Sequence, residues 1–262
     1  MRLVTWNVNS LKARQERVEA WLEDNEPDVC CLQETKCADT AFPAAAFAAL
    51  GYESAHHGNG RWNGVAILSR VGLDDVHAGF ADEDAASVTE CRILAATCGG
   101  VRVLSVYVPN GRAVGSEHYD FKLSWLARLR AEIARVEGEL VVCGDFNVAP
   151  SDADVFDPAA FVGMTHVTPA ERAALGALLD DGLVDAMRRL QPEGPGPFTW
   201  WDYRGGAFHK GEGMRIDLAL CSRGIAGRLT GAFVDREARK KGAFDSSPSD
   251  HAPLVVEWRD TP

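Results

Sequence analysis

Short apolar runs ended by polar turns recur along the whole chain, and a few longer segments carry apolar residues at helical spacing. Residues 3–8, 29–32, 65–68, 88–97, 101–108, 140–143, 215–220 and 253–258 predict strands, and Gly99-Gly100 predicts a hairpin turn between the fourth and fifth. Residues 198–203 read as an aromatic strand. Leu11, Val18, Trp21 and Leu22 predict a helix capped by Ser10 and stopped at Pro27. Residues 43–50 form a short Ala-rich helix closed by Gly51. The clearest helix is 116–137, with Ser116 as cap, Phe121, Trp125, Leu129, Ile133 and Val136 as apolar stripe, and Gly138 as its end. Thr168-Pro169-Ala170-Glu171 is a capping box, and Leu175, Leu178 and Leu179 continue that helix's buried face. Segments 191–197 and 205–213 read as loops.

Many strands with few helices, and hairpins beside crossovers, predict a layered α/β domain with mixed or antiparallel sheets. No repeat and no long linker divides the chain, so residues 1–262 are expected to form a single domain. Neither a GxGxxG nor a P-loop is present, which leaves dinucleotide and nucleoside triphosphate sites without support.

Composition changes this picture little. Of 262 residues, 46% are hydrophobic and 25% charged, as in ordinary globular proteins. No apolar run reaches the roughly 20 residues that span a bilayer, and the N-terminus reads as a strand, not a signal peptide. Seven scattered cysteines suit reduced, packed thiols in a cytosolic protein better than a disulfide framework. The net charge of −11 argues against a general nucleic-acid coat protein, but not against an enzyme with a local basic rim around an acidic, metal-filled pocket. Arg236, Arg239, Lys240 and Lys241 form the one basic cluster and the best candidate for such a rim.

The chemistry collects at strand ends. The run 140–143 meets Gly144, Asp145, Phe146 and Asn147; Asn7 and Asn9 follow the first strand and Glu34 the second. Tyr107 and Asn110 end the strand 101–108. Asp217 sits in the penultimate strand, and Asp250 and His251 stand just before the last. Hard oxygen ligands of this kind suit Mg²⁺ or Mn²⁺, which bind through one or two carboxylates plus substrate phosphate. A histidine fixed by a second carboxylate can polarise or protonate a phosphoryl oxygen, and Asn and Tyr can donate to developing charge. No Ser or Cys sits in a nucleophile elbow, so the pattern points to metal-assisted attack of water on a phosphodiester.

In TWNVNS (5–10), LQETK (32–36), NGVAILSR (63–70), YVPNG (107–111), GDFN (144–147), TWWDYR (199–204), RIDLAL (215–220) and SDHAP (249–253), in this order, the chain resembles the exonuclease III family of abasic-site endonucleases. That family lies within the deoxyribonuclease I-like endonuclease/exonuclease/phosphatase group. The resemblance implies a four-layer αββα sandwich of two mixed β-sheets flanked by helices. It implies Mg²⁺-dependent cleavage 5′ to abasic sites in duplex DNA, with 3′-to-5′ exonuclease and 3′-phosphatase activity, by a cytoplasmic monomer. It also implies roles. Asn7 and Glu34 hold the Mg²⁺, for which Mn²⁺ substitutes. Asp145 orients or deprotonates the attacking water. Asn147, itself also near the metal, and Asn110 contact the phosphate. Tyr107 donates to the phosphate oxygens or, as phenolate, stabilises them. His251 contacts the scissile phosphate and neighbours the metal, with Asp217 paired behind it, and Asp250 assists a metal or its water. Trp200 and Met214 line the pocket for an extruded baseless sugar, beside which Asn9 stands, and Arg112 reaches a phosphate or wedges the duplex.

Two positions depart from the family. Asn9 stands where some relatives carry Asp, which removes one possible metal carboxylate, and Met214 replaces Trp or Leu, which softens the pocket wall. The rival expectations are a phosphodiesterase of the same group acting on a lipid or inositol phosphate, which TWWDYR and RIDLAL disfavour, and an inactive module that binds damaged DNA.

Overall fold

Period-two alternation of side chains sorts these strands into two layers before any helix is placed. The computed structural model of the protein describes residues 1–82 and 90–260. Along the chain run β1 (Arg2–Asn7), α1 (Leu11–Asn25), β2 (Val29–Gln33), α2 (Ala44–Ala49), β3 (Glu53–His57), β4 (Val65–Ser69), β5 (Asp74–Ala78), β6 (Ile93–Cys98) and β7 (Val101–Tyr107). Then come α3 (Glu117–Ile133), β8 (Leu140–Asp145), α4 (Pro169–Asp180), β9 (Val184–Asp185), α5 (Ala186–Leu190), β10 (Trp200–Trp201), α6 (Ala207–Lys210), β11 (Gly213–Met214), β12 (Asp217–Cys221), α7 (Arg223–Ala226), β13 (Leu229–Val234) and β14 (Leu254–Trp258).

Two six-stranded sheets result, in the orders β13-β14-β1-β2-β4-β3 and β5-β6-β7-β8-β12-β9, with β10 and β11 as a separate ribbon. Each sheet contains one parallel pair, β1 with β2 and β7 with β8, and α1 and α3 are the crossovers that parallel pairing requires. The inward positions of both sheets, Leu3, Val29, Cys31, Val65, Val103, Val141, Cys143, Ala219 and Leu254 among them, form one buried core. The outward positions Val4, Trp6, Cys30 and Leu32 pack against Val18 and Leu22 of α1 and Phe47 of α2. On the other side Leu104, Val106, Val142, Leu218 and Leu220 pack against Trp125, Leu126 and Leu129 of α3 and Leu175 and Leu178 of α4. The four-layer αββα architecture follows from these three cores.

Several elements differ from the sequence reading. The helix 116–137 is regular only over Glu117–Ile133, and Phe121 is 42% exposed. The buried arc passes instead through Tyr119, Lys122, Trp125, Leu126, Leu129 and Ile133, which leaves Phe121 on its flank. Ser10 makes no side-chain cap; its φ of 92° lies outside the extended conformation that an N-cap residue usually adopts. The strand expected at 88–97 runs over Ile93–Cys98, and its first two residues lie outside the described residues. Only Trp200–Trp201 of the aromatic segment is a strand, the loop 205–213 contains α6, and the strand expected to start at Arg215 starts at Asp217. Strands β3, β5 and β13 gave little sequence signal. The whole of β5 is exposed at a sheet edge, and β3 and β13 at the two edges of the other sheet are only partly buried, so none carries a strong apolar run.

Ile67, fully buried between the sheets, and Phe121 separate core from surface. Ile67→Ala is expected to cost about 2–5 kcal/mol in urea denaturation, whereas Phe121→Ser stays within about 0.5 kcal/mol of wild type.

Candidate active site

Continuing the inward-facing positions toward one end of the two sheets turns each series polar. Leu3 and Thr5 lead to Asn7, Val29 and Cys31 to Gln33, Val103 and Ser105 to Tyr107, and Val141 and Cys143 to Asp145, while Cys221 and Ala219 lead back to Asp217. Strand register sets these ends side by side: Asn7 opposite Gln33, Tyr107 opposite Asp145, and Asp145 opposite Asp217. Beneath them Thr5 donates to Gln33 at 3.2 Å and Gln33 donates to Ser105 Oγ at 3.1 Å, a buried polar layer that ties one sheet to the other.

The turns beyond the strands carry the remaining groups, and they are strained. Asn9, Ser10, Glu34, Lys36, Arg112, Asn147 and His166 all have positive φ, a conformation costly for residues with a side chain. Gly144 is obligatory, because a Cβ there would lie 1.8 Å from the carbonyl oxygen of Val106. That close approach carries β8 past β7 and delivers Asp145 to the site.

A ligand atom from each of Glu34, Asp145 and His251 lies within 4.8 Å of the other two. The Asn7 amide nitrogen donates to both Glu34 Oε1 and Asp145 Oδ2 at 2.9 Å, and Asn7 Oδ1 accepts from the Asn9 backbone N–H. Asp145 Oδ1 accepts from the Asn147 N–H at 2.9 Å, and His251 Nε2 stands 3.8 Å from Asp145 Oδ2. Behind the ring, His251 Nδ1 donates to Asp217 Oδ2 at 2.8 Å. Asp217 is fully buried, and Thr199 Oγ1 accepts from its backbone N–H.

These contacts set the protonation states. Burial alone would lower the His251 pKa, but the charge and hydrogen bond of Asp217, then Asp145 and Asp250, outweigh it and raise it to about 10. The ring is an imidazolium at neutral pH. Burial pushes Asp145 up to about 7; the charge of His251 opposes that, and Asp217 and Glu34 add to it. Burial, with the Glu34 and Asp145 carboxylates beside it, also pushes the Tyr107 phenol up, while Arg92 sits 4.6 Å over its ring and opposes the shift. Tyr107 therefore presents a hydroxyl donor.

The other expected residues surround this centre. Lys36 bridges Glu34 Oε2 at 2.9 Å and Asn9 Oδ1 at 2.5 Å. Asp250 is set apart from the carboxylate group: Oδ1 accepts from Asn9 and Oδ2 from Trp200 Nε1. Asn110 donates to Asn147 Oδ1 at 3.3 Å, and its own Oδ1 accepts from the Arg112 N–H. Trp200 pairs with Met214 across the β10–β11 ribbon, and both line a cavity of about 510 Å³ together with Asn110, Arg112, His166 and Arg204.

The profile of the Endonuclease/Exonuclease/phosphatase family matches residues 4–251. The chain belongs to that family. Exodeoxyribonuclease III of Haemophilus influenzae is 33% identical over 99% of this chain and the whole of its own length, and an exodeoxyribonuclease of Bacillus subtilis is 30% identical over 98% of each. Among solved structures, a 3′-5′ exonuclease of Neisseria meningitidis has a TM-score of 0.92 at 42% identity, covering 98% of this chain and 99% of that one. An AP endonuclease of Archaeoglobus fulgidus has a TM-score of 0.92 at 36% identity, with the same coverage.

Two features of this family member gave no motif-level signal. His166 Nδ1 donates to the Asn147 carbonyl at 2.5 Å, which leaves Nε2 facing Asn110 at 3.5 Å; burial and the Lys122 charge lower its pKa to about 4, so the ring is neutral. Lys122, fully buried, donates to the Asn147 carbonyl at 2.7 Å, to the Asn110 carbonyl at 3.3 Å and to Glu171. Its place on the buried arc of α3, a lysine at an apolar position, was the available sign of a buried partner.

Burial would raise the Glu171 pKa, yet Lys122 and hydrogen bonds from Thr165 and the His166 N–H hold it at about 2. A depressed carboxyl stabilises the fold above its ordinary value of 4.5, and that contribution fades as the pH falls toward 2. Lys122→Met should therefore cost about 3–5 kcal/mol at neutral pH, because it strands a buried carboxylate. In acid titrations of stability, the gap between wild type and Glu171→Gln is expected to narrow over the same pH window.

Proposed function

We propose that the protein is a DNA-repair nuclease that hydrolyses the phosphodiester 5′ to abasic sites in duplex DNA and removes 3′ blocking groups, including 3′-phosphates, with Mg²⁺ or Mn²⁺ as cofactor. The observation that carries this reading is the meeting of Glu34, Asp145 and an Asp217-held His251 beside a cavity lined by Trp200 and Met214. Relatives named as exodeoxyribonuclease III and as an AP endonuclease, and a 3′ phosphatase of Neisseria solved with a product DNA hairpin, support it. One chain supplies every group named, so a monomer suffices.

The donor set fits a hard divalent cation. Glu34 and Asp145 offer carboxylate oxygens, and Asp145 is held near neutral pKa by burial and by a crowding of acidic groups that a cation would relieve. When bound, the ion would polarise a phosphoryl oxygen and offset the charge gathered there. The Asn7 amide nitrogen now faces both carboxylates, so an Asn7 ligand role requires its oxygen to turn inward. The His251 imidazolium acts as donor and cation toward the phosphoryl group, and Asp217 keeps it protonated and oriented. Asp145, whose carboxylate faces the site beside His251, orients the attacking water and takes its proton. The Tyr107 hydroxyl and the side-chain amides of Asn147 and Asn110 donate to phosphate oxygens. Asp250 orients Asn9 and Trp200. The cavity behind them takes a sugar whose base is missing, because such a nucleotide has already lost its pairing and costs least to extrude.

Duplexes carrying one tetrahydrofuran lesion or one 3′-phosphate test the reading. Chelation by EDTA is expected to abolish turnover, with Mg²⁺ or Mn²⁺ restoring it, and Asp145→Asn should lower kcat by about 10³-fold or more with binding retained. Failure of the metal-loaded protein to process either duplex would remove the assignment. In Asp217→Asn, His251 loses the partner that raises its pKa, so the alkaline limb of the kcat profile moves toward neutral and kcat falls by about 10²–10⁴-fold.

A further inference from the structure

Among the described residues four lysine and arginine side chains are buried: Arg17, Lys122, Arg215 and Arg239. Arg17 donates to the carbonyls of Lys240, Lys241 and Ser246, Lys122 meets Glu171, and Arg215 is gripped by Asp154 and Asp185. Arg239 is different. It is 7% exposed, has no carboxylate within ion-pair distance, and makes one long hydrogen bond of 3.4 Å, from Nη2 to the Trp201 carbonyl. Its Nε has no acceptor at all. What holds the guanidinium is ring faces, Tyr203 at 5.0 Å and Phe208 at 5.2 Å. Cation–π contacts of this kind fix the position of a charge without neutralising it.

Arg239 lines a cleft of about 280 Å³ together with Tyr203, Phe208, His209, Lys240 and Lys241. Lys241 has no acidic partner among the described residues, and Lys240 pairs only with the exposed Glu237. Asp202 and Ala207 line both this cleft and the cavity beside Trp200, so the two stand back to back across one turn of chain. Tyr203 also accepts from Arg14, which donates to the Asn9 carbonyl. In a chain of net charge −11, Arg239 and Lys241 thus stand without an ion-pair partner beside the cavity next to the catalytic groups.

We propose that this cleft is a docking point for the DNA backbone, which binds a phosphodiester flanking the scissile position through Arg239, Lys240 and Lys241. A phosphate oxygen supplies the acceptor that Arg239 lacks, and charge-assisted bonds to phosphate are among the strong ones. The aromatic seats hold the guanidinium ready, so little side-chain entropy is lost on binding. The site reads no base; it anchors the strand while the cavity behind it tests for damage. The proposal rests on DNA as the substrate.

The test is the salt dependence of binding to a duplex of about 20 base pairs with a 3′-phosphate, followed by fluorescence anisotropy without divalent metal. Lys240→Gln/Lys241→Gln is expected to raise Kd about 10-fold near 0.1 M KCl and to flatten the plot of log Kd against log[KCl] by one to two, since each lost phosphate contact removes about 0.9. Lys240→Arg/Lys241→Arg should keep the wild-type slope, and Arg239→Gln should flatten it. The control is Arg135→Gln, on the helix side of the second sheet beside Glu132, which should leave the slope unchanged. A wild-type slope in the double Gln variant, or the same flattening in the Arg135 control, overturns the cleft while leaving the nuclease reading intact. Absence of DNA binding by wild type overturns both. Calorimetric titration with inorganic phosphate is the last arm: binding that depends on Arg239 without DNA would make this a free-anion site and overturn the backbone assignment.

Discussion

The structure depends on one constraint, the two-residue side-chain period of two sheets held face to face. Because every second residue of β1, β2, β7, β8 and β12 points between the sheets, a position near one strand end is fixed in space by the apolar positions before it. Asn7, Tyr107, Asp145 and Asp217 occupy those positions. A slip of one residue in any strand would turn its polar end outward and an outward apolar residue inward. Core packing and site assembly are therefore the same event, and a strand cannot be buried correctly with its polar end misplaced.

Burying so many acids in one place has an electrostatic cost, and the arrangement offsets it in stages. Asp217 is paired with a histidine that it keeps protonated, and that cation faces Asp145. Asn7 donates to two carboxylates at once, and Lys36 neutralises the other oxygen of Glu34. What stays uncompensated is a share of the Asp145 charge, whose pKa of about 7 makes it both a proton acceptor near neutral pH and an attractive ligand for a cation. The strained turns at Glu34, Asn147 and His166 persist because buried bonds hold them: the Glu34–Asn7 bond, the Asn147–Asp145 bond, and the Lys122–Glu171 pair under the Asn147 and Asn110 carbonyls.

An acidic nuclease has a polyanionic substrate to approach, and the cations near the site show how charge is distributed to allow it. Arg112 and Arg204 flank the cavity, and Arg239, Lys240 and Lys241 line the cleft on the far side of the same turn. Other arginines pair with acidic residues, as Arg130 does with Asp181 and Arg172 with Asp152. Net charge thus says little about substrate here; where the fold puts these cations says more.

By itself the sequence determined most of the buried inner strands, the capping box at Thr168 and, through short motifs in a fixed order, the family and the identity of the groups at the strand ends. These are local or serial properties, which a linear chain displays directly. It could not show that Phe121 lies on the flank of its helix while Lys122 is buried, because which arc of a helix faces the core is set by the sheet beneath it. Nor could it show His166 seated against Asn147, Asp250 turned toward Asn9 and Trp200, or Arg239 caught between two rings without an anion. Each of these is a contact between segments distant along the chain, and only packing of the layers decides which side chain finds a partner and which is left to bind something else.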